Sequence, residues 1–187
     1  MVTIRIAEPA DAPALAALYK PYVETTDVTF EYEAPSAAEF ATRMEKTLAR
    51  YPYLVAEEEG AALGYAYAGP FKGRRAYDWA VEVTVYVRMG CAGRGAGTLL
   101  YTELEHWLRR QNIVNLNACI TYPNERSEAF HRKLGYQTVA HFTKCGYKFG
   151  AWKDMIWMEK FLCAHPAVPE PVLPFPEVRR KAERLVP

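Results

Sequence analysis

Residues 78–97 contain the feature that most limits how this chain can fold: a strand that leads through a glycine-rich turn into a helix. In the segment DWAVEVTVYVR, residues 78–88, apolar side chains occupy every second position, with small or polar ones between them. Such alternation is typical of a strand with one buried face. Glycines at 93, 95 and 97 follow, and residues 95–110 repeat apolar side chains at helical spacing. The segment therefore predicts a strand, a tight turn and a helix that packs on a sheet.

The remaining periodicities predict a mixed α/β (α+β) fold with several antiparallel connections rather than a regular βαβ alternation. The turns at Gly60 and Gly150 are short, as expected between antiparallel strands. Ser36 and Glu39 have capping-box spacing, which predicts the start of a helix. Helices are expected at residues 10–22, 36–50 and 124–134, and further strands at 3–7, 53–57, 62–68, 114–120, 137–147 and 151–161.

The chain length and its prolines predict one domain followed by a tail. A chain of 187 residues fits a single domain with a sizeable core. The composition changes after residue 162, and six of the 13 prolines lie in the last 22 residues. We therefore expect a domain at residues 1–162 and a proline-rich tail at 163–187. The tail is predicted to be extended and laid over the domain surface or a neighbouring subunit.

Charge, hydropathy and cysteine spacing argue against several classes of partner and cofactor. The formal net charge of +1 is too small to favour nucleic acid or an anionic membrane surface as a partner. No stretch approaches the ~18 uninterrupted apolar residues of a membrane span, and the N-terminus lacks a secretory pattern, so the cytoplasm is the expected location. The four cysteines form no C-x-x-C pair, so neither a metal site nor a disulfide framework is expected.

The glycine-rich turn predicts a site for a phosphate-containing ligand. Glycine allows backbone conformations closed to other residues and lets a ligand approach the main chain. The first N–H groups of the following helix and its dipole favour an anion there, and pyrophosphate is the natural candidate. No Lys-Ser/Thr pair follows, so the turn is not a Walker A loop, and its G-x-G-x-G spacing is not the dinucleotide fingerprint. A flexible turn without a ligand is the alternative.

Two segments carry a resemblance to a known family. EVTVYVRMGCAGRGAGTLLY (residues 82–101) and YPNERSEAFHRKLGY (residues 122–136) resemble the GNAT superfamily of acetyl-CoA-dependent N-acetyltransferases. The likeness is closer still to its phosphinothricin and methionine sulfone (sulfoximine) acetyltransferase branch, and it extends from Thr3 to about Pro176. The resemblance implies a GNAT fold, in which a mixed, mostly antiparallel central sheet flanked by helices is splayed after its fourth strand. It also implies acetyl-CoA as co-substrate and a homodimer.

The resemblance further implies which residues hold acetyl-CoA. Backbone groups of the strand, above all those of Val85 and Val87, would contact the pantetheine arm, and the turn would wrap the pyrophosphate. The family usually has Gln or Arg where this chain has Ala92, so one side-chain contact is lost, and Arg94 is a candidate to replace the charge. The predicted cofactor-binding residues are Val85, Tyr86, Val87, Gly93, Arg94, Gly95, Ala96, Gly97, Thr98 and Asn124.

Acetyl transfer requires a neutral amine, so a general base is useful. Glu82 is the candidate because it lies on the strand face opposite the valines, although a solvent-facing strand glutamate is the alternative. In the resembling family the acid at this position acts as base, commonly through water. His131 aligns with the position from which the leaving thiolate is protonated, and a packed helix residue is the alternative. The backbone N–H of Val85 would polarise the thioester carbonyl.

The basic turn at residues 72–77, KGRRAY, predicts an acceptor with an anionic group, because a guanidinium binds a carboxylate or phosphinate through two parallel hydrogen bonds. A solvated basic turn is the alternative. The resemblance assigns Arg75 and Tyr77 to substrate binding and Phe30 to the pocket wall. The expected reaction is direct acetyl transfer from acetyl-CoA to the primary amine of a small anionic amino-acid-like substrate, such as phosphinothricin, methionine sulfoximine or methionine sulfone. The alternatives are acetylation of a protein N-terminus or polyamine, and a non-catalytic acyl-CoA-binding domain.

Overall fold

The computed structural model describes residues 1–91 and 93–184. The strands are β1 (Thr3–Ile6), β2 (Tyr53–Glu58), β3 (Ala61–Pro70), β4 (Ala80–Val87), β5 (Asn115–Tyr122), β6 (Gln137–Lys148) and β7 (Ala151–Phe161). The helices are α1 (Ala12–Thr25), α2 (Ala37–Leu48), α3 (Ala96–Arg110), α4 (Glu125–Lys133) and α5 (Phe175–Glu183), with 3-10 turns at Pro9–Asp11 and Arg75–Tyr77. The strands form one sheet in the order β1-β2-β3-β4-β5-β7-β6, in which β4 and β5 are parallel and the other neighbours are antiparallel.

The predicted helices and strands before residue 162 are confirmed, with ends shifted by a few residues. The capping box at the start of α2 is present: the Ser36 hydroxyl accepts from the Glu39 N–H at 3.2 Å, and the Glu39 carboxylate accepts from the Ser36 N–H at 2.8 Å. The first predicted helix instead divides into a 3-10 turn and α1. Gly135 follows α4 with a φ of 92°, a left-handed conformation that suits glycine at a helix end.

Helices cover the sheet on both faces. On one face, the stripe of α3 packs against apolar side chains of the central strands; its members include Leu100, Leu104, Leu108, Val81 and Leu116. On the other face, α1 and α2 pack on β2 and β3, and this second cluster includes Leu15, Met44, Val55 and Tyr65. The alternation predicted for β4 is confirmed, because Val81 and Val83 are buried in the first cluster whereas Glu82 lies on the opposite face.

The sheet opens between β4 and β5. Only three residue pairs join these parallel strands, and the last of them is Glu82 with Asn117. Beyond that pair β4 continues to Val87 and β5 continues to Tyr122. The predicted splay after the fourth strand is therefore confirmed, and we call this opening the β4–β5 gap.

The tail was predicted to be extended, and this prediction is wrong for residues 175–183, which form α5. Prolines at positions 174 and 176 flank the first residue of the helix, where a missing N–H group has no cost and a fixed φ helps the helix to start. Phe175 and Val178 are buried, and the Phe175 ring meets Trp107 of α3 edge-on at 5.3 Å. The tail thus packs on the domain through a helix, while the boundary at residue 162 remains a prediction.

The described residues contain neither a helix that could cross a membrane nor a cluster of metal-binding side chains. None of the helices in residues 1–91 and 93–184 has the length and apolar character that crossing a membrane requires. Within the same ranges, no group of three or more His, Cys, Asp and Glu side chains is arranged to hold a metal ion.

Candidate active site

A cavity of about 310 Å³ lies at the β4–β5 gap. Val83 and Val85 line it from one strand, and Ala118 and Ile120 line it from the other. Its remaining walls include the α1–α2 loop, α4 with the Asn124 that precedes it, and single side chains of other elements, among them Tyr67 and Tyr101. Of the residues predicted from the sequence, the cavity brings together Phe30, Glu82, Val85, Tyr86, Asn124 and His131.

The backbone of β4 presents hydrogen-bonding groups to the gap at alternate residues. The Arg88 N–H donates to the Leu63 carbonyl, and the Ala80 carbonyl accepts from the Phe71 N–H, so the even-numbered residues of β4 bond to β3. The odd-numbered residues therefore direct their N–H and C=O groups toward β5. Beyond the Glu82–Asn117 pair, where β5 has moved away, these groups face the gap and are available to a ligand.

Tyr86 and Val87 differ in what they offer to a ligand. The backbone groups of Tyr86 belong to the ladder with β3, and its ring packs against Tyr19 and Tyr22. This placement does not support the predicted cofactor contact of Tyr86. The Val87 carbonyl accepts a hydrogen bond from the Tyr22 hydroxyl at 2.6 Å, and its second lone pair can accept another.

The glycine-rich turn has the backbone conformation that the sequence predicted. Gly93 and Gly95 have φ values of 86° and 83°, in the left-handed region where side chains are strained. The first helical hydrogen bond of α3 runs from the Leu99 N–H to the Gly95 carbonyl. The N–H groups of residues 96–98 precede it and, as in the first turn of any helix, have no intrahelical partner within the described part of the chain. This arrangement suits a pyrophosphate.

Arg94 is already ion-paired. Its guanidinium lies 2.5 Å from the Glu58 carboxylate at the end of β2, and its side chain is half exposed. An exposed pair of this kind contributes little to stability, so a bound anion can compete with Glu58 for the guanidinium. Ala92 lies outside the described residues, so the effect predicted for it on cofactor affinity remains a prediction.

Glu82 lies half-buried in the cavity. Burial raises the pKa of its carboxyl above the ordinary value, and the positive charge of Lys72 partly opposes that shift. A carboxylate with a raised pKa is a stronger base than a solvated one, as a general base requires. Tyr67 and Thr84 line the same cavity beside it.

Cys119 also lines this cavity, on the β5 side. The desolvating cavity walls, followed by the negative charge of Glu82, raise the pKa of its thiol to about 12. The thiolate, rather than the thiol, is the nucleophile in acyl transfer to cysteine. Cys119 is therefore unsuited to carry an acetyl group.

His131 is buried, at 4% exposure, in a defined hydrogen-bond network on α4. Its Nδ1 lies 2.8 Å from the Ser127 carbonyl, which can only accept, so Nδ1 carries a hydrogen. Its Nε2 lies 3.1 Å from the Tyr101 hydroxyl, which donates to the neutral ring. Burial lowers the pKa of His131, while the bond to Ser127 opposes the shift. At neutral pH the ring is thus mainly uncharged, and only its minor protonated form has a proton to give.

Asn124 and Phe30 line the cavity from two different segments of the chain. Asn124 caps α4, with its side-chain oxygen accepting from the Ser127 N–H at 3.1 Å, so its NH2 group is the part that can donate to a ligand. The Phe30 ring lies against Gly146 of β6, where an added Cβ would stand only 2.3 Å from it. Gly146 is thus required for this ring position.

Arg75 and Tyr77 lie outside the cavity. Both line a separate depression of about 380 Å³ together with Arg50 and Asp78. Both are exposed, so a single chain does not bring them to Glu82. The cation of the basic turn that influences Glu82 is Lys72, whose ammonium also lies 5.8 Å from the centre of the Trp157 ring.

Comparison with known proteins identifies the family. The family described as acetyltransferase (GNAT) domain matches residues 4–157. The chain belongs to the GNAT acetyltransferase family. Its relatives include a phosphinothricin N-acetyltransferase of Streptomyces viridochromogenes, 40% identical over 95% of this chain and 96% of the relative. An L-methionine sulfoximine/L-methionine sulfone acetyltransferase of Salmonella typhimurium is 32% identical over 89% of this chain and 98% of the relative.

A solved structure supports the same assignment. The GNAT superfamily phosphinothricin acetyltransferase from Sinorhizobium meliloti, in complex with acetyl-CoA, matches with a TM-score of 0.86 and 34% identity, over 90% of this chain and 93% of that one. The predicted family, fold class, enzyme class and acetyl-CoA co-substrate are therefore confirmed. The gap and the turn of this GNAT acetyltransferase also fit the co-substrate, since one exposes strand backbone and the other exposes unpaired N–H groups.

Sequence reasoning missed three residues of this GNAT acetyltransferase that the structure places at or beside the cavity. Tyr101 bonds to His131, Lys72 interacts with Glu82, and Lys148 of β6 holds the loop that carries Phe30. Tyr101 had a weak signal, because it shares the apolar stripe of α3 yet carries a hydroxyl that needs a partner. Lys148 had none, since its partners lie far away in the sequence.

Proposed function

We propose that this enzyme acetylates the primary amine of a small, anionic, amino-acid-like acceptor, with Glu82 as general base. The observation that carries the proposal is the half-buried Glu82 carboxylate inside a cavity that opens onto the β4–β5 gap. The names of the relatives, which act on phosphinothricin and on methionine sulfoximine or sulfone, support this class of acceptor.

Acetyl-CoA supplies the activated acetyl group in this reaction. We assign its pyrophosphate to the N–H groups from Gly93 to Thr98 and its pantetheine arm to the backbone of Val85 and Val87. The Val85 N–H faces the gap, as the alternation along β4 requires, and is suited to polarise a carbonyl placed there. The NH2 group of Asn124 and the Arg94 guanidinium are further donors on this side.

Glu82 would take a proton from the acceptor ammonium, directly or through water, so that the nitrogen lone pair becomes available. The raised pKa of its carboxyl favours that transfer. Because the pKa of Cys119 is raised to about 12, we propose direct transfer to the amine without an acetyl-cysteine intermediate.

His131 and Tyr101 would deliver the proton that the leaving thiolate needs. When Nε2 of His131 is protonated, it donates to the Tyr101 oxygen and releases the Tyr101 O–H to donate into the cavity that this residue lines. The lowered pKa of His131 makes its protonated form a stronger acid. In this proposal His131 acts through Tyr101 rather than alone.

A panel of amines tests the acceptor class. The purified enzyme is incubated with acetyl-CoA and one amine at a time, and thiol release is followed. The panel contains phosphinothricin, methionine sulfone, a polyamine and a peptide with a free N-terminus. Turnover restricted to the first two supports the proposal. Turnover on the peptide or the polyamine alone would overturn it.

The pH dependence of kcat should report the raised pKa of Glu82. As the pH falls through this pKa, Glu82 is protonated and can no longer accept a proton. The kcat should therefore begin to fall at a pH above the usual titration range of a glutamic acid. Lys72→Met removes the charge that lowers the pKa of Glu82, so the acid limb should move to higher pH. Steady-state kinetics across pH measure this. If the acid limb of the kcat–pH profile does not move in Lys72→Met, or moves to lower pH, the prediction is contradicted.

Lys72→Met should also raise the KM of an anionic acceptor by about tenfold, the scale of one charge-assisted contact. Lys72 and Arg75 line the same depression outside the cavity, but the charge that acts on the Glu82 carboxyl is that of Lys72. Arg75→Met is therefore the matched variant, and it tests the substrate role that the resemblance assigned to Arg75. A large increase in the acceptor KM in Arg75→Met, with none in Lys72→Met, would show that Arg75 rather than Lys72 binds the acceptor.

A homodimer and a cytoplasmic location, which the sequence predicted, remain proposals. Large exposed apolar side chains of β6 and β7 support the homodimer, because such residues are common at subunit interfaces. They are Val139, Phe142, Tyr147, Trp152 and Phe161. We propose this surface as the dimer contact, which light scattering of the purified enzyme can test. The cytoplasm fits the use of acetyl-CoA.

A further inference from the structure

Lys148, the last residue of β6, is almost completely buried, at 1% exposure. Its ammonium donates three hydrogen bonds of 2.8 Å, to the carbonyls of Val23, Thr26 and Thr29. All three acceptors belong to the end of α1 and the loop after it. An ammonium has three donors, so a single side chain is fully satisfied by this one segment.

The position of the ammonium has a clear electrostatic reason. Val23 lies in the last turn of α1 and Thr26 follows its last residue, where helix carbonyls lack intrahelical partners. The negative end of the helix dipole also lies there and favours a cation. Burial lowers the pKa of Lys148, but the charges of Asp27 and Glu31 oppose the shift. The carbonyls and the dipole thus compensate a charge that is otherwise expensive to bury.

The same loop is attached to the β5–β7 part of the sheet at other points. The Thr121 hydroxyl of β5 donates to the Asp27 carbonyl at 2.5 Å, and the Lys153 ammonium of β7 pairs with the Asp27 carboxylate at 2.7 Å. The Tyr32 hydroxyl donates to the Tyr147 carbonyl of β6. Lys148 is the buried centre of this set of contacts.

The loop is also a wall of the catalytic cavity. Val28, Thr29, Phe30 and Glu31 all line it, and the Thr29 carbonyl that Lys148 holds belongs to the residue next to Phe30. Helix α1, which leads into the loop, packs on the face of the sheet opposite α3, the helix that follows the glycine-rich turn, and on this ground we assign the loop to the acceptor side. A change in the loop therefore reaches the acceptor side before the acetyl-CoA side.

We propose that Lys148 is a positioning residue that fixes residues 26–31 and so sets the affinity of the enzyme for its acceptor. This inference rests on the proposed function in one respect, the assignment of the loop to the acceptor side. Lys148 itself does not line the cavity, so it acts through the loop.

The test compares wild type, Lys148→Met and the control Lys144→Met, which changes an exposed lysine of the same strand. In Lys148→Met the acceptor KM should rise about tenfold or more, because three carbonyls lose their donors. The kcat and the KM of acetyl-CoA should stay close to wild type. Hydrogen exchange of residues 26–31 should accelerate in the same variant and not in the control. General destabilisation would instead change all three kinetic parameters and exchange in the whole sheet.

Each failure can be recognised. Unchanged hydrogen exchange at residues 26–31 in folded Lys148→Met would overturn the proposal that Lys148 fixes the loop, whatever the acceptor is. Faster exchange with an unchanged acceptor KM would overturn the link to acceptor affinity. If Lys148→Met does not fold, Lys148→Arg takes its place, since it keeps the charge but cannot direct three donors to converging carbonyls; an unchanged acceptor KM there would overturn the proposal. If the wild-type enzyme is inactive on the small anionic amines, the proposed acceptor class is wrong. Hydrogen exchange of residues 26–31 then still tests whether Lys148 fixes the loop.

Discussion

Replacing Glu82 by glutamine is expected to lower kcat by roughly 10²–10⁴-fold, the range that a positioned general base contributes. Glutamine has nearly the same shape but cannot take a proton from the acceptor ammonium. The Km for acetyl-CoA should change little, because the proposed cofactor contacts come from the odd-numbered residues of β4 and from the glycine-rich turn. Steady-state kinetics with both substrates varied measure the effect.

Glu159→Gln is the matched control. Glu159 of β7 lies in the same cross-strand row, since Glu82 pairs with Asn117 and Asn117 pairs with Glu159. The chemical change is identical and the side chain does not line the catalytic cavity, so kcat should stay near wild type. A nearly unchanged kcat in Glu82→Gln, or an equal loss in both variants, would remove Glu82 from the role of base.

Phe175→Ala should lower the free energy of unfolding by about 3 kcal/mol, the usual loss for a large buried ring. Phe175 is 2% exposed, and its N–H donates to the Arg50 carbonyl at 3.0 Å. The carbonyl of Leu173, two residues earlier, accepts from the side chain of the fully buried Gln111. The tail helix thus closes over the ends of α2 and α3. For a chain of this size the loss corresponds to roughly 6–12 °C in Tm.

Val168→Ala provides the comparison for this prediction. Val168 belongs to the same tail but is 85% exposed, so its truncation should leave Tm almost unchanged. Thermal unfolding followed by circular dichroism measures both variants. Equal Tm values for Phe175→Ala and wild type would show that the tail adds nothing to the stability of the domain.

Local periodicity predicted the parts of the fold that local forces determine. The capping box at Ser36 and the alternation along β4 depend on neighbouring residues, so both could be read from the sequence. The helix at residues 175–183 could not, because the prolines before it also suit an extended chain. Phe175, the first residue of this helix, is buried against Trp107, which is distant in the sequence. This long-range contact favours the helix over an extended chain.

The sequence predicted the part of the site that lies on a single strand, β4. Glu82 and Val85 follow from the alternation of β4, and the structure brings both to the cavity. Arg75 was assigned from the basic turn and the resemblance, and a single chain leaves it outside. Lys148 binds carbonyls more than 100 residues earlier, and carbonyls are common to every residue type. No sequence pattern distinguishes such a partner.

The short pairing of β4 with β5 has a consequence for the stability of the enzyme. Only three residue pairs join the two halves of the sheet, and the main-chain groups of β4 beyond them lack a strand partner. In the proposed binding mode, hydrogen bonds from the coenzyme would replace this missing strand pairing. Because a ligand that binds only the folded state stabilises it by mass action, the lifetime of this enzyme should follow the cellular supply of acetyl-CoA.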